Sequence, residues 1–399
     1  MPDAPHRTRT RRPTAVLLNP RDTVIAAAEK LGLALVVVVD PGQPRPPATG
    51  APEIEVAWTR DSADLVARLR ESAFPGPVSC FGFGEIGASV AAVVNGELGW
   101  PGNPPYAPAA LKNKAELRAL VGDKAGVPVA YALAATPGEL LPAMVKVGFP
   151  CIAKPVDGTG SSGVQYIADL AEAEQYAARL NWQGPLLVEE FLSGAEYSVE
   201  AMSSASGHRI LAITEKITTG MPHFVESGHT LPVRLATETE AAISDLVGAT
   251  LDAAGHCYGT SHTEVMVTPA GPRLIESHGR PGGDRISDML NLALGEDVFA
   301  QSMAAVFGLP VQDAPSRNRV AGIRYVTFDR PVLTQALSTS LVASLPGVEE
   351  VRITASAGRQ PAAVAASGDR HGFVLAVADT RGELENHLAV AVRTLTAGT

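Results

Sequence analysis

In CIAKPVDGTGSSGVQYI, residues 151–167, Lys154 closes an apolar run and Gly158, Gly160 and Gly163 follow it, with Ser161 and Ser162 between the last two glycines. A loop this rich in glycine lets backbone N–H groups approach a phosphate, and a lysine beside it adds a compact positive charge. Two familiar phosphate loops do not fit. A dinucleotide fingerprint needs its last glycine to open a helix, but VQYI, a β-type run, follows Gly163, and the next helical signal starts near Asp169. A P-loop needs Lys-Ser or Lys-Thr directly after the glycines, and neither is there. The spacing predicts a hairpin turn, a flap that can fold over phosphates, with Lys154 on the strand before it.

A second stretch, SHTEVMVTPAGPRLIESHGRPGGDRI (residues 261–286), carries paired acids. The Pro/Gly turn TPAGP joins two β-type runs. A hairpin symmetric about Ala270 sets Glu264 across from Glu276 and Met266 across from Leu274. Period-two alternation brings His278 and Arg280 to the same face as the glutamates. Like charges directly opposed destabilise a sheet, so a cation is expected between them. Mg²⁺ suits the place, because it takes oxygen ligands and pairs one or two carboxylates with substrate phosphates; Mn²⁺ is a possible substitute. His278 is either a third ligand or a hydrogen-bonding neighbour.

These side chains need a framework. The 399 residues are too many for one ordinary domain, and 46% hydrophobic with 19% charged residues fits sizeable cores. A net charge of −10 argues against nucleic acid as a partner. Cys80, Cys151 and Cys257 lie far apart without metal spacing, and read as buried free thiols of a reducing, cytoplasmic setting. No apolar run is long enough for a signal segment or a membrane span. Residues 1–12 read as a disordered basic arm. Residues 13–105 alternate strand and helix, which predicts an α/β domain with a parallel sheet. PGNPPYAP breaks that pattern. After it, AALKNKAELRALVGDKAG reads as one basic amphipathic helix ending at Gly126. Residues 106–312 mix several strands with single helices, an α+β pattern of antiparallel sheets, and residues 313–399 form a smaller subdomain.

Taken in order, these motifs resemble the ATP-grasp superfamily of carboxylate–amine ligases, in the branch shaped like biotin carboxylase, and most of all the L-amino-acid ligases. The resemblance runs from about Pro101 to Pro310, with flanking regions like that superfamily's N- and C-terminal units. It implies an ATP-grasp fold and gives the residues roles. Lys114, with Lys112 a near rival, and Lys154 would contact the phosphates of ATP. Gly158, Gly160, Ser161, Ser162 and Gly163 would cover them. Glu189, Glu190, Phe191 and Leu192 would border adenine, and Glu196 would hold the ribose. Glu264 and Glu276 would hold Mg²⁺. Arg280 would steady the acyl phosphate and the tetrahedral intermediate. Many members carry Asn where this chain has His278. Lys216 would approach the phosphates, and Glu226 and His229 would face the substrates.

The chemistry so implied turns a carboxylate into an acyl phosphate, which an amine attacks. The substrates would be a small acid and an amine, both amino acids on the resemblance to L-amino-acid ligases, and a homodimer is a further expectation from biotin carboxylase. Three rivals exist. One is an ATP-grasp ligase or carboxylase for another acid, and one is an ATP-binding regulator without catalysis. An NAD-dependent oxidoreductase fails on the missing helix after Gly163 and on the glycine-free turn LLNPRDTV.

Overall fold

A computed structural model describes residues 12–124, 126–158, 162–220, 225–329, 339–356, 358–364 and 366–396. Gly160 and Ser161 of the glycine loop, and residues 1–11 of the basic arm, lie outside the described residues. Among the described residues sixteen strands, β1 to β16, form three sheets that follow one another along the chain.

The first sheet holds β1 (Thr14–Leu18), β2 (Ala34–Val39), β3 (Glu53–Glu55) and β4 (Val78–Phe81), all parallel, in the order β3-β2-β1-β4. Every residue of β1 and β4 is buried, as expected where crossover helices cover both faces. Those helices are α1 (Asp22–Lys30), α2 (Ser62–Glu71) and α3 (Glu85–Leu98). The parallel α/β domain anticipated for the first hundred residues is therefore present.

Two helices follow, α4 (Tyr106–Lys112) and α5 (Lys114–Val121), where the sequence reads as one. The cause is Asn113. Its backbone is extended (φ −80°, ψ 104°), and its side chain accepts hydrogen bonds from the N–H groups of Ala115 and Glu116 at 3.1 and 3.2 Å. An asparagine that caps a helix starts a new one. The break places Lys114 in the first turn of α5 and turns its side chain inward.

The second sheet, in the order β5-β8-β6-β7, is antiparallel throughout: β5 (Tyr131–Ala134), β6 (Cys151–Pro155), β7 (Gln165–Ile167) and β8 (Leu186–Glu190). The helices α6 (Pro137–Val147) and α7 (Leu170–Arg179) pack on it, and Asp169 caps α7. Strands β6 and β7 form the expected hairpin around the glycine loop, with Cys151 opposite Ile167.

The third sheet has eight strands in the order β13-β12-β9-β10-β11-β14-β16-β15. They are β9 (Ala195–Ser204), β10 (Gly207–Thr218), β11 (Glu226–Leu231), β12 (Gly259–Thr268), β13 (Gly271–His278), β14 (Val320–Val326), β15 (Val348–Ile353) and β16 (Gly372–Ala378). The remaining helices are α8 (Thr237–Ala254), α9 (Ile286–Leu294), α10 (Val298–Val306), α11 (Thr339–Ala343) and α12 (Arg381–Thr396).

The C-terminal strands extend this sheet, because β14 pairs with β11. Alternation along β16 then serves two cores. Phe373, Leu375 and Val377 face α9, α10 and the first domain, whereas Val374, Ala376 and Ala378 pack with Leu384, Leu388 and Leu395 of α12. The tail so has a core of its own while sharing the large sheet. Cys80 and Cys151 are buried, but Cys257 is exposed, on the turn before β12 where its N–H donates to Asn103. Among the described residues no helix is long and apolar enough to cross a membrane.

Replacing Asn113 by Ala removes the cap of α5. The expected loss is about 1 kcal/mol, read as a lower urea midpoint with an unchanged slope.

Candidate active site

Glu264 and Glu276 are direct partners on β12 and β13, as the hairpin spacing requires. Beyond them the register shifts: Val265 opposes Leu274 and Met266 opposes Arg273, not Leu274. Ile275 is the extra residue of a β-bulge, a feature that symmetry about the turn cannot anticipate. Both carboxylates face one cleft of about 960 Å³ between the second and third sheets.

Cationic side chains stand beside both acids. Lys216 on β10 lies 2.8 Å from Glu264, and Lys114 lies 2.9 Å from Glu276. His262, two residues before Glu264 and on its face, stands 3.4 Å from it; Nε2 of His278 stands 3.0 Å from Glu276. Burial alone would raise the pKa of both acids, but these neighbours outweigh it: Glu264 is held near 2 mainly by Lys216, and Glu276 well below its ordinary range by His278 and Lys114. Two ionised, all-oxygen donors on one cleft wall fit a hard divalent cation. Among the described residues no three His, Cys, Asp or Glu side chains form a complete metal cage, so such a cation would need further ligands from outside the protein.

Lys114 and Lys154 are buried and paired. Lys114 also donates to the carbonyl of Gly158 at 2.6 Å, a contact between α5 and the start of the glycine loop. Lys154 lies 2.5 Å from Glu189, whose other oxygen accepts from Arg118 at 2.5 Å. Glu189 is therefore a buried anion clamped by two cations; burial would raise its pKa, and Arg118 and Lys154 lower it. It lines the cleft, but its carboxylate serves Lys154. Arg118 stands one helical turn after Lys114 on α5, so helical spacing was the signal for it.

Glu190 points the other way, to Arg273, and accepts from the N–H of Ala130 at 2.6 Å. Phe191 and Leu192 join Ile152, Val164, Met266 and Ile275 in an apolar end of the cleft, where Tyr166 packs edge-on against Phe191. Ser162 and Gly158 line the same cleft. Gly163 adopts φ 73°, a left-handed turn against Pro155 that suits glycine. Lys112 lies at the end of α4 and is not among the lining residues.

Glu196 pairs with Lys216, which also faces Glu226 at 3.7 Å. One buried ammonium so serves three carboxylates, and their charges outweigh burial to raise its pKa well above the ordinary value.

The cleft continues past Glu264 and Glu276 into a second cavity that holds His229, His278, Arg280 and Asp284. Its far wall is the loop 279–285 between β13 and α9. Arg280 donates to Glu85 at 2.5 Å and to the carbonyl of Pro281 at 2.9 Å. Glu85 belongs to α3 of the first domain and also faces Nδ1 of His278 at 3.2 Å. Each ring nitrogen of His278 faces a carboxylate, and although burial would lower its pKa, Glu276 and Glu85 outweigh it and raise it. Gly282 is close to His262; a Cβ there would come within 2.7 Å of its ring.

Asp284 and Arg285 have left-handed backbones (φ 51° and 66°), unusual outside glycine. Arg370, from the C-terminal segment, grips Asp284 with two hydrogen bonds of 2.6 and 2.7 Å and stacks 3.5 Å over the Tyr325 ring. The same segment reaches Glu226 through Ser367. Sequence reading missed Glu85, Asp284, Arg370 and Ser367, which carry no local motif. A third, wider cavity of about 1520 Å³ opens beyond the loop, between the first domain and the tail, bordered by Arg21, Phe83, Glu85, Arg285, Tyr325 and Phe373.

Residues 147–288 match the ATP-grasp domain family, and residues 324–399 match L-amino acid ligase C-terminal domain 2. The fold is that of the ATP-grasp proteins. The chain's likeness to the L-amino acid ligases in sequence lies in the domain that follows, residues 324–399.

A Sinorhizobium fredii protein, y4rH, is 29% identical over 304 residues, 74% of this chain and 63% of that one. Carnosine synthase 1 of Mus musculus is 28% identical over 266 residues, 60% of this chain and 32% of that one. The chain thus spans under two thirds of the length of these relatives. Among solved structures, the L-amino acid ligase from Bacillus licheniformis has a TM-score of 0.80 at 20% identity, covering 96% of this chain and 98% of that one. N5-carboxyaminoimidazole ribonucleotide synthetase from Thermotoga maritima has a TM-score of 0.70 at 17% identity, covering 96% and 98%. Both are likenesses of fold.

Two buried histidines should titrate in opposite senses. Burial lowers His256 to about 4. For His262 burial acts the same way, but Glu200 and Glu264 outweigh it and raise the ring to about 10. His256 therefore weakens the fold as pH falls from about 6.5, where the unfolded ring protonates, toward about 4. His262 adds stability that is complete below about 6.5 and lost as pH rises through about 10. Imidazole NMR of the metal-free protein at neutral pH is expected to show His262 charged and His256 neutral.

Proposed function

We propose that the protein is an ATP-dependent ligase that activates the carboxylate of a small acid, an amino acid by preference, as an acyl phosphate and joins it to an amine. ADP and phosphate are the other products. The observation that carries this reading is the placing of Glu264 and Glu276 between two sets of cations in connected cavities. Lys114, Lys154 and Lys216 stand on the nucleotide side, and Arg280 stands on the other.

Transfer of a phosphoryl group asks mainly for position and charge neutralisation. Lys114 and Lys154 are held in place before the nucleotide arrives, by Glu276, Gly158 and Glu189. The apolar pocket at Phe191 and Leu192 suits a purine ring, and Glu196 stands where a ribose hydroxyl would need an acceptor. A divalent cation held by Glu264 and Glu276, Mg²⁺ or Mn²⁺, would neutralise phosphate charge. The glycine hairpin excludes water from the activated acid when it closes. Arg280, released from Glu85, meets the negative oxygen that develops as the amine adds. The wide cavity beyond loop 279–285 offers room for the amine substrate. The match of residues 324–399 to the C-terminal domain of L-amino acid ligases favours amino acids over other acids.

The test is phosphate release from ATP and Mg²⁺ with L-amino acids supplied singly and in pairs, products being weighed by mass spectrometry. A pair-dependent release with the condensed mass is expected. Arg280→Met should keep nucleotide binding and lose coupling by about 10²–10³, and Glu276→Gln should lose phosphate release itself. Release that requires bicarbonate or formate in place of an amino acid would overturn the amino-acid reading. Retained activity in both variants would overturn the assigned roles.

A further inference from the structure

An amine substrate reaches such a site as an ammonium ion, and it must lose a proton before it can attack. Most groups around the reaction centre cannot accept one. Arg280 is permanently charged, Lys216 is hemmed in by three carboxylates, and Glu264 and Glu276 are committed to cations. Glu226 faces Lys216 on one side and the Ser367 hydroxyl on the other.

His229 differs. It sits on β11, directly beside Lys216 of β10, and is 2% exposed. Its Nε2 lies 2.9 Å from Oδ2 of Asp284. Arg370 holds both oxygens of Asp284 at 2.6 and 2.7 Å, so Asp284 is an ionised, accept-only group. The proton of a neutral His229 must then sit on Nε2, leaving a bare lone pair on Nδ1. Of the residues lining this cavity, His229 alone has a buried side-chain polar atom without a hydrogen-bond partner among the described residues, and that atom is Nδ1. Nδ1 of His256 and of His387 is likewise without a protein partner, but neither lines this cavity; what sets His229 apart is that its open acceptor stands beside Lys216, Glu226 and Arg280.

We propose that His229 is the general base of the coupling step, taking the proton of the amine substrate on Nδ1 while Asp284 fixes its tautomer and orientation. The proposal rests on the ligase reading above. As the N–H proton passes to Nδ1, the nitrogen lone pair forms the C–N bond to the acyl carbon. The bond from that carbon to the phosphate oxygen then breaks, and phosphate leaves with the electron pair and with the second proton of the nitrogen, so that a neutral amide remains. Asp284 stabilises the imidazolium until its proton passes to solvent or to the departing phosphate. The arrangement follows the logic of an acid that orients a histidine, which in turn relieves a nucleophile of its proton. Arg370 reaches this dyad from the C-terminal segment, so the tail takes part in holding the base.

Hydroxylamine separates the two halves of the reaction, because it is weakly basic, neutral at physiological pH and attacks an acyl phosphate without a base. The enzyme is given ATP, Mg²⁺ and a pool of L-amino acids, with and without hydroxylamine, and hydroxamates and dipeptides are measured. His229→Gln keeps a donor for Asp284 but has no base. It is expected to form hydroxamates within about threefold of the unaltered protein and to lose dipeptide formation by about 10²–10⁴. Asp284→Asn should show the same split, and it serves as the second variant should the first fail to fold, as judged by circular dichroism. A parallel loss of hydroxamate and dipeptide in both variants, or retention of both products, would overturn the proposal. If the unaltered protein forms neither product, the ligase reading itself falls, and the proposal with it.

Discussion

Two negative charges set face to face on β12 and β13 are the constraint around which the rest is built. Glu264 and Glu276 would repel if left alone, and the fold answers with cations drawn from several places. Lys216 comes from β10, Lys114 from the first turn of α5, and His262 and His278 from the hairpin itself. Each has a further anion or carbonyl, so the network spreads to Glu196, Gly158, Glu200 and Glu85. Buried charges are tolerable when they are paired and hydrogen-bonded, and costly when one partner is lost. The network is therefore both the site and a large part of what keeps the site rigid.

The pairing also explains local structure that would otherwise look accidental. A continuous helix from 109 to 126 would carry Lys114 past the cleft. The break at Asn113 starts α5 afresh and lets Lys114 reach Glu276 and Gly158 together. The bulge at Ile275 has a similar effect on β13: the carbonyl of Ile275 accepts from Arg118 at 2.9 Å, so the arginine that clamps Glu189 is anchored to the strand that carries Glu276. In each case an irregularity in a regular element aims a side chain.

What the sequence made readable was local. The glycine loop as a hairpin, Glu264 across from Glu276, and the parallel first domain all follow from periodicity and turn residues within short stretches. His262 was within reach of the same rule, being two residues before Glu264 on one strand face. What could not be read came from far along the chain. Glu85 lies 195 residues before Arg280, and Arg370 lies 86 residues after Asp284. No spacing rule links such pairs, because the fold alone brings them together. Strand β11, ESGHTL, was also obscure: it is polar and has one β-branched residue, and its pairing with β10 and β14 rather than its composition makes it a strand. Cys257 shows the converse, a small apolar residue left at the surface because it sits on a turn.

The continuity of the third sheet bears on how this architecture is inherited. Residues 147–288 and 324–399 match two separate families, as though two modules had been joined end to end. In space their junction is internal: Gly228 of the first segment is the ladder partner of Arg324 of the second, and β14 closes the open edge of β11. Modules that meet along a hydrogen-bonded edge cannot be exchanged as beads on a string are, since a replacement must supply a strand of matching register as well as a compatible surface. The units that sequence comparison separates are thus joined in space by one hydrogen-bonded edge.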